Sequence, residues 1–231
     1  MSKIQKISSL NEFFELHEMQ PKKSLLYIEA LTHSSANKPP TKVDGRDYEK
    51  LEFLGDAVLQ FLTSAYIYSK YSHLDSGAQT RLRAKVVCTE ALSTISKELG
   101  LVDILKTGPG QMEKDVKESQ KVQADIFESV IGAIYADLGI SQAKKFAERY
   151  VFPIIDAEHN ENNKDAKTEL QEFFQGFSKQ SIQYVVESLP DRTFKAKVIH
   201  ENKVFGEGYG LNKKEAELNA AKAALEKQTK G

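Results

Sequence analysis

Over roughly the first 156 residues the apolar positions recur at helical spacing, and after residue 165 the pattern switches to short strands between two helices. Residues 24–33 carry Leu25, Leu26, Ile28 and Leu31 on one side, which predicts a short amphipathic helix. Residues 36–45 (ANKPPTKVDG) are dense in turn formers and predict a loop. A long apolar run from about residue 47 to 71 predicts an extended helix. Thr89 is placed to cap a helix that Gly100 ends, Gly108-Pro109-Gly110 marks a turn, and residues 121–138 read as a buried helix stopped by Gly139, followed by one capped by Ser141. Residues 157–164 are polar and rich in Asn, which predicts a linker. Beyond it, residues 165–177 read as a helix, 181–188, 192–200 and 203–210 as strands, and a last helix capped by Asn212 reaches about residue 228. Ala216, Ala220, Ala223 and Ala224 give that helix a stripe of small side chains, suited to sitting close on a sheet. The predicted architecture is an all-α domain (1–156), a linker (157–164) and a small α-β-β-β-α domain (165–231) with both helices on one face of the sheet.

Composition narrows the function by exclusion. No apolar run reaches the ~20 residues that span a bilayer, and the N-terminal residues lack the apolar core of a secretory signal, so a cytoplasmic protein with no membrane partner is expected. Cys88 is the single cysteine, which rules out an intrachain disulfide or a thiolate metal cluster and, from its apolar neighbours, is expected to be buried and inert. Net charge is −1 over 231 residues; residues 165–231 hold 11 Lys+Arg against 10 Asp+Glu, or +1. Bulk charge therefore gives no sign of a polyanionic partner, and any such binding has to come from local arrangement.

The chemistry is concentrated in Glu49-Lys50-Leu51-Glu52-Phe53-Leu54-Gly55-Asp56. At ~100° per residue Glu49, Glu52 and Asp56 share an arc of about 60° on a helix whose other positions belong to a core. Asp125 and Glu128 repeat the arrangement at i and i+3 among Ile126, Phe127, Val130 and Ile131. Taken singly, each carboxylate could be a solvated helix face or the partner of a Lys or Arg. Taken together, like charges beside a core repel and lose hydration, so something positive should sit among them. Two such helices side by side would make an all-oxygen site suited to a hard cation, Mg²⁺ or Mn²⁺, and to metal-assisted phosphodiester hydrolysis.

The segment EKLEFLGDAVL resembles the signature of the ribonuclease III family, usually E-R-L-E-F-L-G-D. Ala30-Leu31-Thr32-His33-Ser34, Thr80-Arg81-Leu82-Arg83-Ala84, Gly108-Pro109-Gly110 and the stretch from Ala124-Asp125 through Glu128 to Tyr135 follow in the family's order. The resemblance implies a helical catalytic domain ahead of a double-stranded-RNA-binding domain, acting as a homodimer. It assigns Glu52, Asp56, Asp125 and Glu128 to Mg²⁺, with Mn²⁺ able to substitute, and Asp56, Glu128 and Glu49 to catalysis. It implies staggered cuts leaving 5′-phosphate and 3′-hydroxyl ends with a short 3′ overhang, on ribosomal RNA precursors and structured messenger RNAs. In the second domain it assigns Thr168, Gln171, Glu172 and Gln175 to the minor groove of duplex RNA, and Lys213 and Lys214 to phosphates. Lys50 replaces the signature Arg, Glu217 stands where many modules are basic, and Ser76 stands where many members have a supporting Glu, a place Asp75 could fill. His33 is expected to pack or cap rather than catalyse. The competing readings are a non-catalytic duplex binder, which would lack the carboxylates, and a nucleotide hydrolase, which would not need the second domain.

Overall fold

Helix α7 (Gln120–Leu138) is apolar on nearly every face, and twelve of its 19 residues are buried. Other helices surround it in the first of two compact units, residues 1–156 and 157–231. The structure is a computed structural model describing residues 4–37, 46–72, 74–178 and 180–229. Most of the expected loop 36–45 lies outside the described residues; Ala36 and Asn37 belong to a 3-10 turn, Ser34–Asn37. The helices of the first unit are α1 (Leu10–Leu16), α2 (Ser24–Ala30), α3 (Glu49–Lys70), α4 (Ser76–Val86), α5 (Thr89–Leu99), α6 (Gln111–Glu118), α7 and α8 (Ile140–Tyr150), and α9 (Phe152–Gln175) begins at its end. Helices α2, α3, α5 and α8 all pack on α7. Their shared core includes Tyr27, Leu59, Leu92, Ile126, Phe127 and Phe146.

Local chemistry sets the ends of these helices, sometimes one or two residues from where it was expected. Gly100 ends α5 in the left-handed conformation (φ 85°), and Gly139 ends α7 (φ 84°), as their lack of Cβ permits. The N-cap of α5 is Cys88, not Thr89, and that of α8 is Gly139, not Ser141. Cys88 is only partly buried, with its Sγ–H donating to the Lys85 carbonyl at 3.1 Å. The burial expected for it fails because a residue at a helix start faces the preceding turn rather than the core.

The polar stretch 157–164 is helix, not coil: α9 runs through it without interruption. It contains neither Gly nor Pro, and Ala, Glu and Lys propagate a helix well. A shortage of apolar residues marks exposure, which a linker and a solvated helix share.

In the second unit β1 (Gln183–Ser188), β2 (Phe194–His200) and β3 (Lys203–Gly210) form an antiparallel sheet in that order, with Val186 opposite Ala196 and Ala196 opposite Gly208. The two-residue turn between β2 and β3 places Glu201 (φ 48°) and Asn202 (φ 63°) in left-handed conformation, as tight hairpins need. Helix α10 (Lys213–Thr229) and the end of α9 cover one face, where Leu170, Phe174, Ala196, Val198 and the α10 alanines are buried together. The buried alanines are Ala216, Ala220, Ala221 and Ala224; Ala223 is half-exposed. Opposite them β3 presents Gly206, Gly208 and Gly210, at i, i+2 and i+4 on one face of the strand. A Cβ at Gly206 or Gly208 would collide with α10 backbone, and one at Gly210 would come to 2.6 Å from the Ala216 nitrogen. Helix and strand therefore meet backbone to backbone.

Candidate active site

Helices α3 and α7 also meet at backbone contact. A Cβ on Gly55 would collide with the carbonyl oxygen of Glu128, and one on Gly132 with that of Leu51. These two glycines let α3 lie closer to α7 than side chains would allow, and so bring the acidic faces of both helices together. Glu52, Asp125 and Glu128 each place a carboxylate oxygen within 4.8 Å of the other two. Asp56 and Glu49 stand at the rim, both exposed. The Asp56 Oδ1 accepts from Gln60 Nε2 at 3.3 Å, one turn along α3. The structure thus gathers three of the five predicted carboxylates tightly and sets the other two beside them on the same face of α3.

The electrostatics show what this closeness costs. Burial, then the charges of Asp56, Asp125 and Glu52, push the Glu128 carboxyl up to about 8; Lys121 opposes them. Burial and the neighbouring Asp125 also raise Glu52, again opposed by Lys121. In the protein alone, then, the ionised form of Glu128 is disfavoured, because a further negative charge there is unfavourable. A divalent cation would remove that penalty. The donors are all hard carboxylate oxygens from two rigid helices, and this set fits an ion such as Mg²⁺.

Two residues at the site escaped the sequence reading. Lys121 donates from Nζ to Asp125 Oδ2 at 2.6 Å and lies 3.7 Å from Glu52 Oε1, so it is the positive group that the like charges called for. The signal was present: Lys121 precedes Asp125 by four residues, one helical turn. Tyr48 is buried and donates from its hydroxyl to Asp125 Oδ2 at 3.3 Å, with burial and then Asp125 raising its own pKa. No spacing rule links Tyr48 to Asp125, 77 positions away.

Other positions take clear structural roles. His33 Nδ1 accepts from the Ser35 backbone N–H at 3.1 Å, while Gly108 N–H donates to Ser35 Oγ at 2.9 Å; the histidine holds a turn. Asp75 caps α4, its Oδ1 accepting from Ala78 N–H at 2.6 Å, and Ser76 is exposed at the first position of that helix. One oxygen of Asp75 is therefore committed to the helix end rather than to a supporting role at the carboxylates.

In the second unit Thr168, Gln171, Glu172 and Gln175 are all exposed on α9, and Lys213 and Lys214 are exposed in the first turn of α10. The start of α10 is partly closed by its own chain: Glu215 N–H donates to Asn212 Oδ1 at 3.0 Å, and Glu215 Oε2 accepts from Leu211 N–H at 2.8 Å. Such a capping arrangement occupies backbone donors at the start of the helix. Glu217 is paired with Lys167 at 2.6 Å, and Lys167 also lies over the Tyr184 ring at 4.8 Å. Glu217 is thus neutralised from α9.

Comparison with known proteins agrees with both units. Residues 23–155 match the family described as ribonuclease-III-like, and residues 166–228 match the double-stranded RNA binding motif. Ribonuclease 3 of Mycoplasmopsis synoviae (strain 53) is 40% identical over 222 residues, covering 96% of this chain and 95% of its own. Ribonuclease 3 of Bacillus velezensis is 37% identical over 229 residues, covering 97% and 92%. Among solved structures, the nuclease domain of ribonuclease III from Campylobacter jejuni, in work concerned with flexibility in a region involved in dimer formation, superposes with a TM-score of 0.56. It is 29% identical and covers 62% of this chain and 96% of that domain. A family match over more than half of the chain, and relatives of this identity over nearly all of it, show that the chain belongs to the ribonuclease III family and is an endoribonuclease of double-stranded RNA.

Proposed function

We propose that Glu52, Asp56, Asp125 and Glu128 hold Mg²⁺, with Mn²⁺ able to substitute, and that Asp56, Glu128 and Glu49 serve the cleavage of duplex RNA at that centre. The observation that carries this reading is the set of carboxylate oxygens from α3 and α7 within 4.8 Å of one another, at a place where Glu128 resists ionisation. A bound ion would supply Lewis acidity toward a phosphate oxygen and a water acidified enough to attack phosphorus. The chain's own part is to hold the ligands still: Tyr48 fixes Asp125 by a hydrogen bond, and the Gly55–Gly132 contact fixes the separation of the two helices. Glu128 would have to be ionised to serve as a ligand, its proton passing to solvent. Products carry 5′-phosphate and 3′-hydroxyl ends with a short 3′ overhang, and the substrates are ribosomal RNA precursors and structured messenger RNAs in the cytoplasm. No described helix is long and apolar enough to cross a membrane.

The division of labour follows the two units, with residues 1–156 catalytic and 165–231 binding duplex RNA through Thr168, Gln171, Glu172 and Gln175 in the minor groove and Lys213 and Lys214 on phosphate. The test is a long RNA duplex incubated with Mg²⁺ and the native chain or Lys213→Glu/Lys214→Glu. The native chain should shorten the duplex to pieces with the ends above; binding without cleavage would sink the assignment. The double variant should bind at least about tenfold more weakly, with a salt dependence shallower by about two counter-ions, as expected when two phosphate contacts are lost.

Dimerisation through the catalytic domain has its own support. Phe53, Phe61 and Tyr68 are 82%, 61% and 72% exposed on α3. Their spacing confines them to an arc of about 80° on that helix. An aromatic stripe of this kind is what an interface buries. Phe53→Glu should raise the dimer dissociation constant at least about thirtyfold, as loss of a central aromatic anchor does. Sedimentation would show it, and an unchanged dimer would place the interface elsewhere.

A further inference from the structure

Lys121 stands in an unusual position for a lysine on a metal-binding helix. It shares two of the three clustered carboxylates, through Asp125 Oδ2 at 2.6 Å and Glu52 Oε1 at 3.7 Å, and its charge reaches Glu128 as well. Its side chain is nevertheless 72% exposed, against 9% for Asp125 and 26% for Glu52. The ammonium is thus a lid on a half-buried anionic cluster, carried on a flexible stem with open solvent behind it. We propose that Lys121 is a built-in counter-ion of the metal site: it holds Glu52 and Asp125 while the ion is out and swings into solvent when the ion enters. The proposal rests on the reading that these carboxylates bind the metal.

Two consequences separate this role from simple helix packing. A group that pairs with the ligands only in the metal-free protein stabilises that state alone, and therefore weakens metal binding by the same factor. Removing it should tighten binding while lowering the stability of the protein without metal. A lysine that ordered the ligands for the ion would instead weaken binding when lost. The direction of the change in affinity therefore decides the matter.

The test uses the full chain without RNA, titrated with Mg²⁺ by calorimetry and with Mn²⁺ by electron paramagnetic resonance, alongside thermal unfolding with and without metal. Lys121→Gln keeps a helix-forming residue at an exposed position and should fold. It should bind both ions roughly three- to tenfold more tightly, as loss of a solvent-facing charge competitor would give. Its melting temperature without metal should fall, and its rise on adding metal should exceed that of the native chain. Lys121→Arg, which keeps the charge, should bind within about twofold of native. Unchanged or weaker binding by Lys121→Gln, while Glu128→Gln loses the ion, overturns the counter-ion role and leaves the metal site standing. Indistinguishable binding by the native chain and Glu128→Gln overturns both.

Discussion

Glu128→Gln should bind duplex RNA as tightly as the native chain and cut it roughly a hundred- to ten-thousandfold more slowly. The loss corresponds to several kcal/mol of charge stabilisation supplied at a metal centre, at about 1.4 kcal/mol per factor of ten. Binding should persist because the residues assigned to RNA lie on α9 and α10, in the other unit. The substitution is nearly isosteric, and it replaces a carboxyl whose ionisation the site opposes by a neutral amide, so above the unfolded pKa the folded chain without metal should gain stability rather than lose it. That gain has a pH signature. Burial and neighbouring carboxylates hold Glu128 at about 8, above the usual value for a free glutamate. A carboxyl whose folded pKa is raised contributes stability below its unfolded pKa of about 4.5 and loses that contribution as pH rises through about 8. Native protein stripped of metal should therefore lose stability between roughly pH 5 and 8, and Glu128→Gln should show a flatter profile. Denaturant titration across that range, with and without Mg²⁺, measures it. Cleavage by Glu128→Gln at the native rate would remove this residue from the site.

Gly132→Ala should strongly destabilise the catalytic unit. The new Cβ would meet the Leu51 carbonyl oxygen and lie 3.1 Å from the Gly55 nitrogen. Both are backbone atoms of α3, which no rotamer change can move aside. Overpacking usually costs 1–3 kcal/mol; with a backbone on the far side the cost should reach about 3 kcal/mol or more. For a unit of this size that corresponds to a melting temperature lower by roughly 6–12 °C. The methyl must push α3 from α7, and with it Glu52 and Asp56 from Asp125 and Glu128. A displacement near 1 Å at a catalytic centre can cost on the order of a hundredfold in rate. Cleavage measured well below the new melting temperature should therefore fall even where the protein is fully folded. An unchanged melting temperature would show that the two helices are not in contact at this point.

The carboxylates were readable in the sequence because charge at positions one helical turn apart, inside an apolar run, conflicts with ordinary burial. Lys121 was implied by the same conflict, and its place four residues before Asp125 could have named it. Tyr48 could not have been named, since only the packing of α3 on α7 brings its hydroxyl to Asp125. The continuation of α9 through residues 157–164 was missed because a polar helix and a polar linker draw on the same residues, and only Gly or Pro would have separated them. Cys88 was misjudged for a related reason. Its apolar neighbours described the adjacent helices, while the cysteine itself sits at the junction between them. In the second unit, the alanine stripe gave the direction in which α10 faces but not its partner. Gly206, Gly208 and Gly210 look like weak points in a strand until a helix is laid against them.

The seating of α10 on those glycines has a mechanical consequence for a module that recognises the shape of a duplex rather than its letters. Most helix–sheet interfaces are separated by a layer of side chains, which can change rotamer and let the helix shift by fractions of an ångström. Here the spacer is the main chain itself, with alanine on one side and no side chain on the other. The first turn of α10 is consequently seated on β3 at main-chain distance, and Lys213 and Lys214 start from a base with little slack. In the proposed contact with phosphate, their flexible stems then supply the adjustment that the base does not.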